Sequence, residues 1–87
     1  MTKHRLIGDW LTKQVLLDGK VLSPVRSQRC HNHSPDGFNW AYGGSGPAQL
    51  ALAIMLECTG IPEGYQDFKN TFVAKLPATN FDVEFEL

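Results

Sequence analysis

Cysteine is scarce in this sequence and long apolar runs are absent, and these features exclude several classes of protein. The 87 residues include only two cysteines, Cys30 and Cys58, which are too few for the disulfide framework of a small secreted domain. No segment approaches the ~20 consecutive apolar residues that a membrane-spanning helix needs. Residues 1–9 carry charge but lack the apolar core of a signal peptide. We therefore expect a cytoplasmic protein without a membrane partner.

Standard ligand-binding motifs are also missing. The GGSGP segment at residues 43–47 contains neither the GKS/T of a Walker loop nor the G-x-G-x-x-G of a dinucleotide-binding fold. Cys30, His31 and His33 lie close together, but their spacing fits no standard zinc site. We therefore predict no metal and no cofactor.

What the sequence does contain is typical of a small globular domain. Hydrophobic residues make up 43% of the chain and charged residues 20%, which argues against disorder. The length of 87 residues predicts a single domain, residues 1–87, with a modest core. Residues 1–29 carry six basic and two acidic side chains, whereas residues 30–87 carry two basic and seven acidic ones. We expect the fold to merge these charges into a mixed surface, although a basic face for an anion is the alternative.

Asp18-Gly19 is a strong signal for a two-residue β-turn and predicts an N-terminal hairpin. Residues 13–17 and 20–22 flank this turn and are rich in valine and leucine. The expected register places Leu16 opposite Val21 and Val15 opposite Leu22, so that both faces of the hairpin carry apolar groups. A small core with two such faces favours pairing with a second copy, so a homodimer is also expected.

The C-terminal segment has the alternation of a half-buried strand. In residues 81–87, phenylalanine, valine and leucine alternate with Asp82, Glu84 and Glu86, which form an acidic outer row. Residues 4–8 can add a short first strand to the same sheet. Like charges along the C-terminal strand would discourage edge-to-edge aggregation.

Two helices are predicted in the second half of the chain. The first runs from about Pro47, which suits the first helical position, to Cys58, with Gly60 as its C-terminal cap. Its residues are apolar all round, which is typical of a buried helix. The second runs from about Pro62 to Lys75 and places aromatic residues on one face.

The aromatic residues Phe38, Trp40 and Tyr42 alternate and predict a short central strand. We expect Trp40 to lie in the core, while for Tyr42 core and ligand contact stay equally open. The predicted fold class is therefore α+β: a small antiparallel sheet packed against two helices, the sheet comprising the N-terminal hairpin, this central strand and the C-terminal strand.

The glycine-rich entry to the first helix is the main candidate for a binding site. Free backbone N–H groups and the positive end of a helix dipole attract anions, and glycines let a ligand approach the backbone. The alternative explanation, which we favour two to one, is a tight turn that packs a buried helix against a sheet. Polar residues cluster just before this turn. The predicted ligand-binding residues are Asn32, His33, Asp36, Tyr42, Gly43, Gly44, Ser45, Gly46 and Gln49.

The segment NHSPDGFNWAYGGSGPAQLALA, residues 32–53, resembles a family of small proteins of unknown function found in bacteria, archaea, phages and plasmids. Residues 65–69 and 73–77 resemble the second helix of that family, so the resemblance covers residues 30–77. Ala41 departs from the glycine expected at its position. The resemblance carries no activity, and it implies a small standalone protein often found on mobile elements.

Three functions are consistent with the sequence. The first is a non-enzymatic protein that sequesters an anionic small molecule, such as a nucleotide, at the glycine turn. The second is a counter-defence inhibitor of the anti-CRISPR kind, which would act in a host cell on a defence protein through the acidic C-terminal strand. The third is a small enzyme that uses His31 or His33 with Asp36, which ranks last because no nucleophile of defined geometry accompanies them.

Overall fold

The structure, a computed structural model, describes residues 1–87 and has the predicted α+β fold. The antiparallel sheet contains β1 (Lys3–Gly8), β2 (Val15–Leu17), β3 (Lys20–Val21) and β4 (Phe81–Glu86), in the order β3-β2-β1-β4. The helices are α1 (Val25–Cys30), α2 (Ser45–Thr59) and α3 (Tyr65–Thr71), and α3 is followed by a 3₁₀ turn at Val73–Lys75. None of these helices combines the length and the apolar character that a membrane crossing requires.

The hairpin prediction is confirmed in both position and register. Leu16 lies opposite Val21, and the turn between β2 and β3 is formed by Asp18 and Gly19. Both turn residues have positive φ angles, 52° and 84°, as a type I′ turn requires. The N-terminal strand is also confirmed: β1 lies between β2 and β4 and pairs antiparallel with each.

Helix α2 lies at the centre of the fold. It begins at Ser45, two residues before the predicted start, and Gly60 caps its end in the left-handed conformation with a φ of 80°. Residues 46–56 are all buried, because the helix is surrounded on several sides. Helices α1 and α3 and the 3₁₀ turn contact it, and one apolar cluster joins it to the sheet. That cluster includes Leu50 and Ile54 of α2, Leu6, Val15 and Leu17 of the sheet, and Phe81 and Phe85 of β4.

The helix content differs from the prediction in two places. Helix α1 was not predicted, because its sequence VRSQRC has no apolar periodicity. The predicted helix from Pro62 to Lys75 is shorter, and is divided at Phe72, whose φ of −127° and ψ of −62° are not helical. The fold therefore packs its sheet against three helices instead of two.

The predicted central strand at residues 38–42 is wrong. The backbone N–H of Trp40 donates to Oδ1 of the preceding Asn39, and Ala41 has a φ of 76°, outside the extended region. The alternating aromatics do not belong to a strand. Phe38 and Trp40 are buried, whereas Tyr42 is 50% exposed. Trp40 therefore lies in the core as expected.

The acidic row of β4 lies beside basic residues of β1. The register places Lys3 opposite Glu86 and Arg5 opposite Glu84. Arg5 also makes two hydrogen bonds to Asp82, one of them from Nε at 2.8 Å. The charge asymmetry of the sequence is thus merged into a mixed surface on the outer face of the sheet.

Candidate functional site

An open groove of about 510 Å³ lies beside the N-terminus of α2. Three segments form it: the loop between β1 and β2, the loop after α1, and the turn that enters α2. The lining residues are Thr12, Lys13, His33, Ser34, Pro35, Asp36, Gly37, Phe38, Asn39, Tyr42, Ser45 and Gly46. The predicted glycine turn therefore opens onto a groove and is only partly enclosed by the core.

The first turn of α2 contains backbone donors that the chain does not use. Gly44 is the N-cap residue, and no side chain caps the helix. The N–H groups of Ser45 and Gly46 have no acceptor within the chain, and Pro47 has no N–H. The first turn also contains no acidic residue. These donors and the positive end of the helix dipole suit an oxygen anion.

Two of the glycines are explained by close packing. A Cβ atom on Gly46 would lie 2.5 Å from Cβ of Asn39 and 3.1 Å from its backbone nitrogen. A Cβ atom on Gly44 would overlap the ring of Tyr42. Gly43, by contrast, has nothing within 4 Å of the equivalent position. Close packing therefore requires part of the glycine turn, in line with the expectation from the sequence that this turn packs a buried helix.

Gln49 fixes the loop that forms one wall of the groove. Its side chain is completely buried, and its Oε1 accepts hydrogen bonds from the N–H groups of His33 at 2.8 Å and Ser34 at 2.9 Å. Its Nε2 donates to Ser27 Oγ at 2.9 Å and to the His31 carbonyl at 3.1 Å. All four hydrogen-bonding positions of the amide are used. Gln49, predicted to contact a ligand, instead holds the loop that does.

His33 connects this loop to α3. Its Nε2 lies 2.8 Å from the hydroxyl of Tyr65, and its ring stacks on His31 with centroids 4.1 Å apart. Burial is the main cause that lowers the pKa of His33 from its ordinary value near 6.5, with smaller contributions from His31 and Lys69. At neutral pH the imidazole is therefore uncharged.

The groove contains one cation and one acid. Lys13 places its Nζ 3.0 Å from the centre of the Trp10 ring, and Trp10 in turn packs edge-on against Trp40. Asp36 lies in the loop after α1, is exposed, and makes no side-chain hydrogen bond. The positive side of the groove is thus built from Lys13 and the helix N-terminus.

The structure brings together five of the nine predicted ligand-binding residues. His33, Asp36, Tyr42, Ser45 and Gly46 line the groove. The other four, Asn32, Gly43, Gly44 and Gln49, do not line it.

Sequence analysis missed Thr12 and Lys13. They are at least 20 positions away from the rest of the groove, and only the loop from β1 into β2 brings them there. No motif in the sequence marks them.

The chain belongs to DUF6166, a family of unknown function. The sequence model of that family matches residues 7–86, so the match extends beyond the 30–77 segment that first indicated an uncharacterised family. Comparison with curated proteins gave no match. Comparison with solved structures gave none either.

A second cavity of this DUF6166 protein, also of about 510 Å³, contains a histidine–aspartate pair that the sequence did not indicate. His4 Nδ1 lies 2.7 Å from Asp18 Oδ2, and Glu57 and Cys58 line the same cavity. Burial raises the pKa of Cys58 to about 11, so its thiol is a poor nucleophile at neutral pH. No group of three or more His, Cys, Asp or Glu residues is arranged to hold a metal ion.

Proposed function

We propose that this DUF6166 protein is a non-enzymatic binding protein that sequesters a small anionic ligand, such as a nucleotide, in the groove beside α2. The observation that carries the proposal is the pair of unused N–H donors, Ser45 and Gly46, in a groove that also contains Lys13. Backbone donors at a helix N-terminus bind phosphate oxygens in many unrelated folds.

The rest of the groove can accommodate a ligand that is larger than a phosphate group. Its volume of about 510 Å³ is within the usual range for small-molecule sites. Tyr42 is half-exposed at the groove and offers a ring face on which a base can stack. Asp36 would repel a second phosphate but accept a hydrogen bond from a hydroxyl group. A nucleoside monophosphate combines these features.

Calorimetric titration of the protein with a nucleoside monophosphate tests the proposal, with Ser45→Asp as the informative variant. An acid in the first turn stabilises a helix by about 0.3–1 kcal/mol, but at this position its charge would repel an anion. We expect wild type to bind, Ser45→Asp to lose at least tenfold in affinity, and its melting temperature to stay level or rise.

Ser45→Ala is the matched control, because it removes the hydroxyl without adding charge and should retain most of the affinity. Wild-type protein that releases no binding heat with any phosphate ligand would contradict the proposal. Equal binding by Ser45→Asp would place the ligand away from α2.

A counter-defence inhibitor of the anti-CRISPR kind is the second candidate function, and the phage or plasmid setting that motivates it rests on the motif resemblance alone. Its structural support would be an acidic strand that mimics nucleic acid. Because β1 places Lys3 and Arg5 beside the acids of β4, that face is mixed in charge. This observation favours the small-ligand proposal.

The groove geometry also favours binding over catalysis. His33 is hydrogen-bonded to Tyr65 and not to Asp36, and no serine of the groove bonds to either His33 or Asp36 through its hydroxyl. A general base and nucleophile are usually within hydrogen-bonding reach of each other.

A further inference from the structure

We infer that His33 presents a neutral Nδ1–H donor to the groove, and that Tyr65 holds the imidazole in that tautomer. The inference rests on the proposed function only in taking the groove as the binding site. It names a residue that selects the ligand by donating a hydrogen bond without contributing a positive charge.

The hydrogen bonds around Tyr65 are the observation from which we assign the proton of His33. Gln66 Nε2 lies 3.3 Å from the Tyr65 hydroxyl and donates to its oxygen. The hydroxyl proton is then free to be donated to His33 Nε2, 2.8 Å away. Because Nε2 accepts this bond, a neutral imidazole must carry its proton on Nδ1.

The Nδ1–H group is the only polar atom of the ring left for a ligand. It has no hydrogen-bond partner within the chain, and it is not among the side-chain atoms that are both buried and unpaired. His33 lines the groove, whereas Tyr65 does not, so the ring spans from Tyr65 towards the groove. We therefore assign the Nδ1–H donor to the groove, where His33 is one of the lining residues.

The position of the ring is fixed before any ligand binds. The backbone N–H of His33 is bonded to the buried Gln49, and its ring stacks on His31 with an interplanar angle of 12°. Such restraint reduces the entropy that a ligand contact would otherwise cost. Gln49 is thus a positioning residue for His33.

Burial is the main cause that lowers the pKa of His33 and favours the neutral ring, and the nearby His31 and Lys69 act in the same direction. His31 faces it from the end of α1, and Lys69 and Tyr65 face it from α3. On the groove side are Lys13 and Asp36. The charge that attracts an anion then comes from Lys13 and the helix N-terminus, while His33 supplies direction. A directed N–H donor suits the acceptor oxygen of a phosphate ester more than an anion whose charge is spread over the whole ion.

Nitrogen-15 spectra of the histidine rings test the tautomer in the wild-type protein at pH 7 without ligand. The expected result for His33 is a protonated Nδ1 and an unprotonated Nε2. Two other histidines are references in the same spectrum. His4 must also carry a proton on Nδ1, because that atom faces Asp18 Oδ2 at 2.7 Å, and His31 makes no side-chain hydrogen bond. A proton on Nε2 of His33, or on both nitrogens, would overturn the inference.

The variant Tyr65→Phe then tests the cause, because it removes the hydroxyl and keeps the ring. We expect His33 to shift towards the Nε2–H tautomer, His4 to stay unchanged, and the affinity for inorganic phosphate to fall about five- to tenfold, the loss expected for one hydrogen bond. An unchanged His33 tautomer and an unchanged affinity would overturn the inference. If the wild-type tautomer is as expected but neither phosphate nor a nucleotide binds, the proposed function fails while the tautomer assignment stands.

Discussion

At the scale of single residues, Ala41 has a backbone conformation that favours glycine. The motif resemblance leads to glycine at this position, and the structure gives Ala41 a φ of 76°. A side chain in the left-handed region costs roughly 1–2 kcal/mol, which glycine avoids. The chain therefore tolerates a strained alanine between the buried Trp40 and the groove residue Tyr42.

Ala41→Gly should consequently stabilise the protein by about 0.5–1 kcal/mol, since relief of strain outweighs the lost methyl group and the added flexibility of the unfolded chain. Urea unfolding measures this change. The matched control is Ala53→Gly in the middle of α2, which should destabilise by about 1 kcal/mol or more. A loss of stability in Ala41→Gly equal to that of the control would contradict the strain at Ala41.

At the scale of elements, one buried amide links three segments of the chain. Gln49 of α2 bonds to Ser27 of α1 and to His31, His33 and Ser34 of the following loop. These bonds give the groove wall a defined position although it has no regular secondary structure.

Gln49→Leu keeps the side-chain volume but leaves the partly buried N–H groups of His33 and Ser34 and the His31 carbonyl without their partner. Each unpaired group costs about 1–3 kcal/mol, so a total loss of about 3 kcal/mol is expected after partial relaxation. Chemical denaturation gives the loss directly. Asn32→Ala, in the same loop, is the control, because Asn32 is exposed and makes no side-chain hydrogen bond. Similar losses for the two variants would show that Gln49 has no special role.

The elements that sequence analysis identified have strong local signals. The alternation in residues 81–87 defined β4, and Asp18-Gly19 defined the hairpin with its register. The apolar residues before Cys58 defined α2 within two residues at its start. In each case the periodicity or the turn chemistry depends on neighbours in the chain, so no tertiary contact is needed to recognise it.

Tertiary contacts decide the elements and site residues that were missed. Helix α1 has no apolar stripe, and its one buried side chain, Ser27, is held by Gln49 from α2. Lys13 reaches the groove only because β1 and β2 pair. The aromatic alternation at residues 38–42 predicted a strand, but it arises because Phe38 and Trp40 are both buried. No other strand pairs with this segment. None of these contacts is visible in local sequence.

At the scale of the whole molecule, two carboxylates form hydrogen bonds to residues of β1 and make the stability of the protein depend on pH. Asp82 accepts hydrogen bonds from Arg5, which is the main cause that lowers its pKa below the ordinary 3.8. Asp18 bonds mainly to His4, and its pKa is lowered in the same direction. A lowered pKa in the folded state stabilises the protein above the unfolded value, and this contribution is lost as the pH falls through the folded values.

The melting temperature should therefore decrease as the pH falls below about 4, the range in which an unfolded aspartate becomes protonated. Asp82→Asn should show a shallower decrease, because its amide cannot be protonated there. Glu84→Gln is the control on the same strand, since the side chain of Glu84 makes no hydrogen bond. Melting curves between pH 7 and pH 2 measure the effect, and identical slopes for wild type and Asp82→Asn would contradict it.

The central claim is that the groove beside α2 binds a small anion, and an amide NMR titration with inorganic phosphate at constant ionic strength tests it most directly. The account predicts saturable shifts at the N–H groups of Ser45 and Gly46, smaller ones at Lys13 and His33, and none along β4. Shifts that do not saturate, or that scatter over the surface without favouring the first turn of α2, would contradict it.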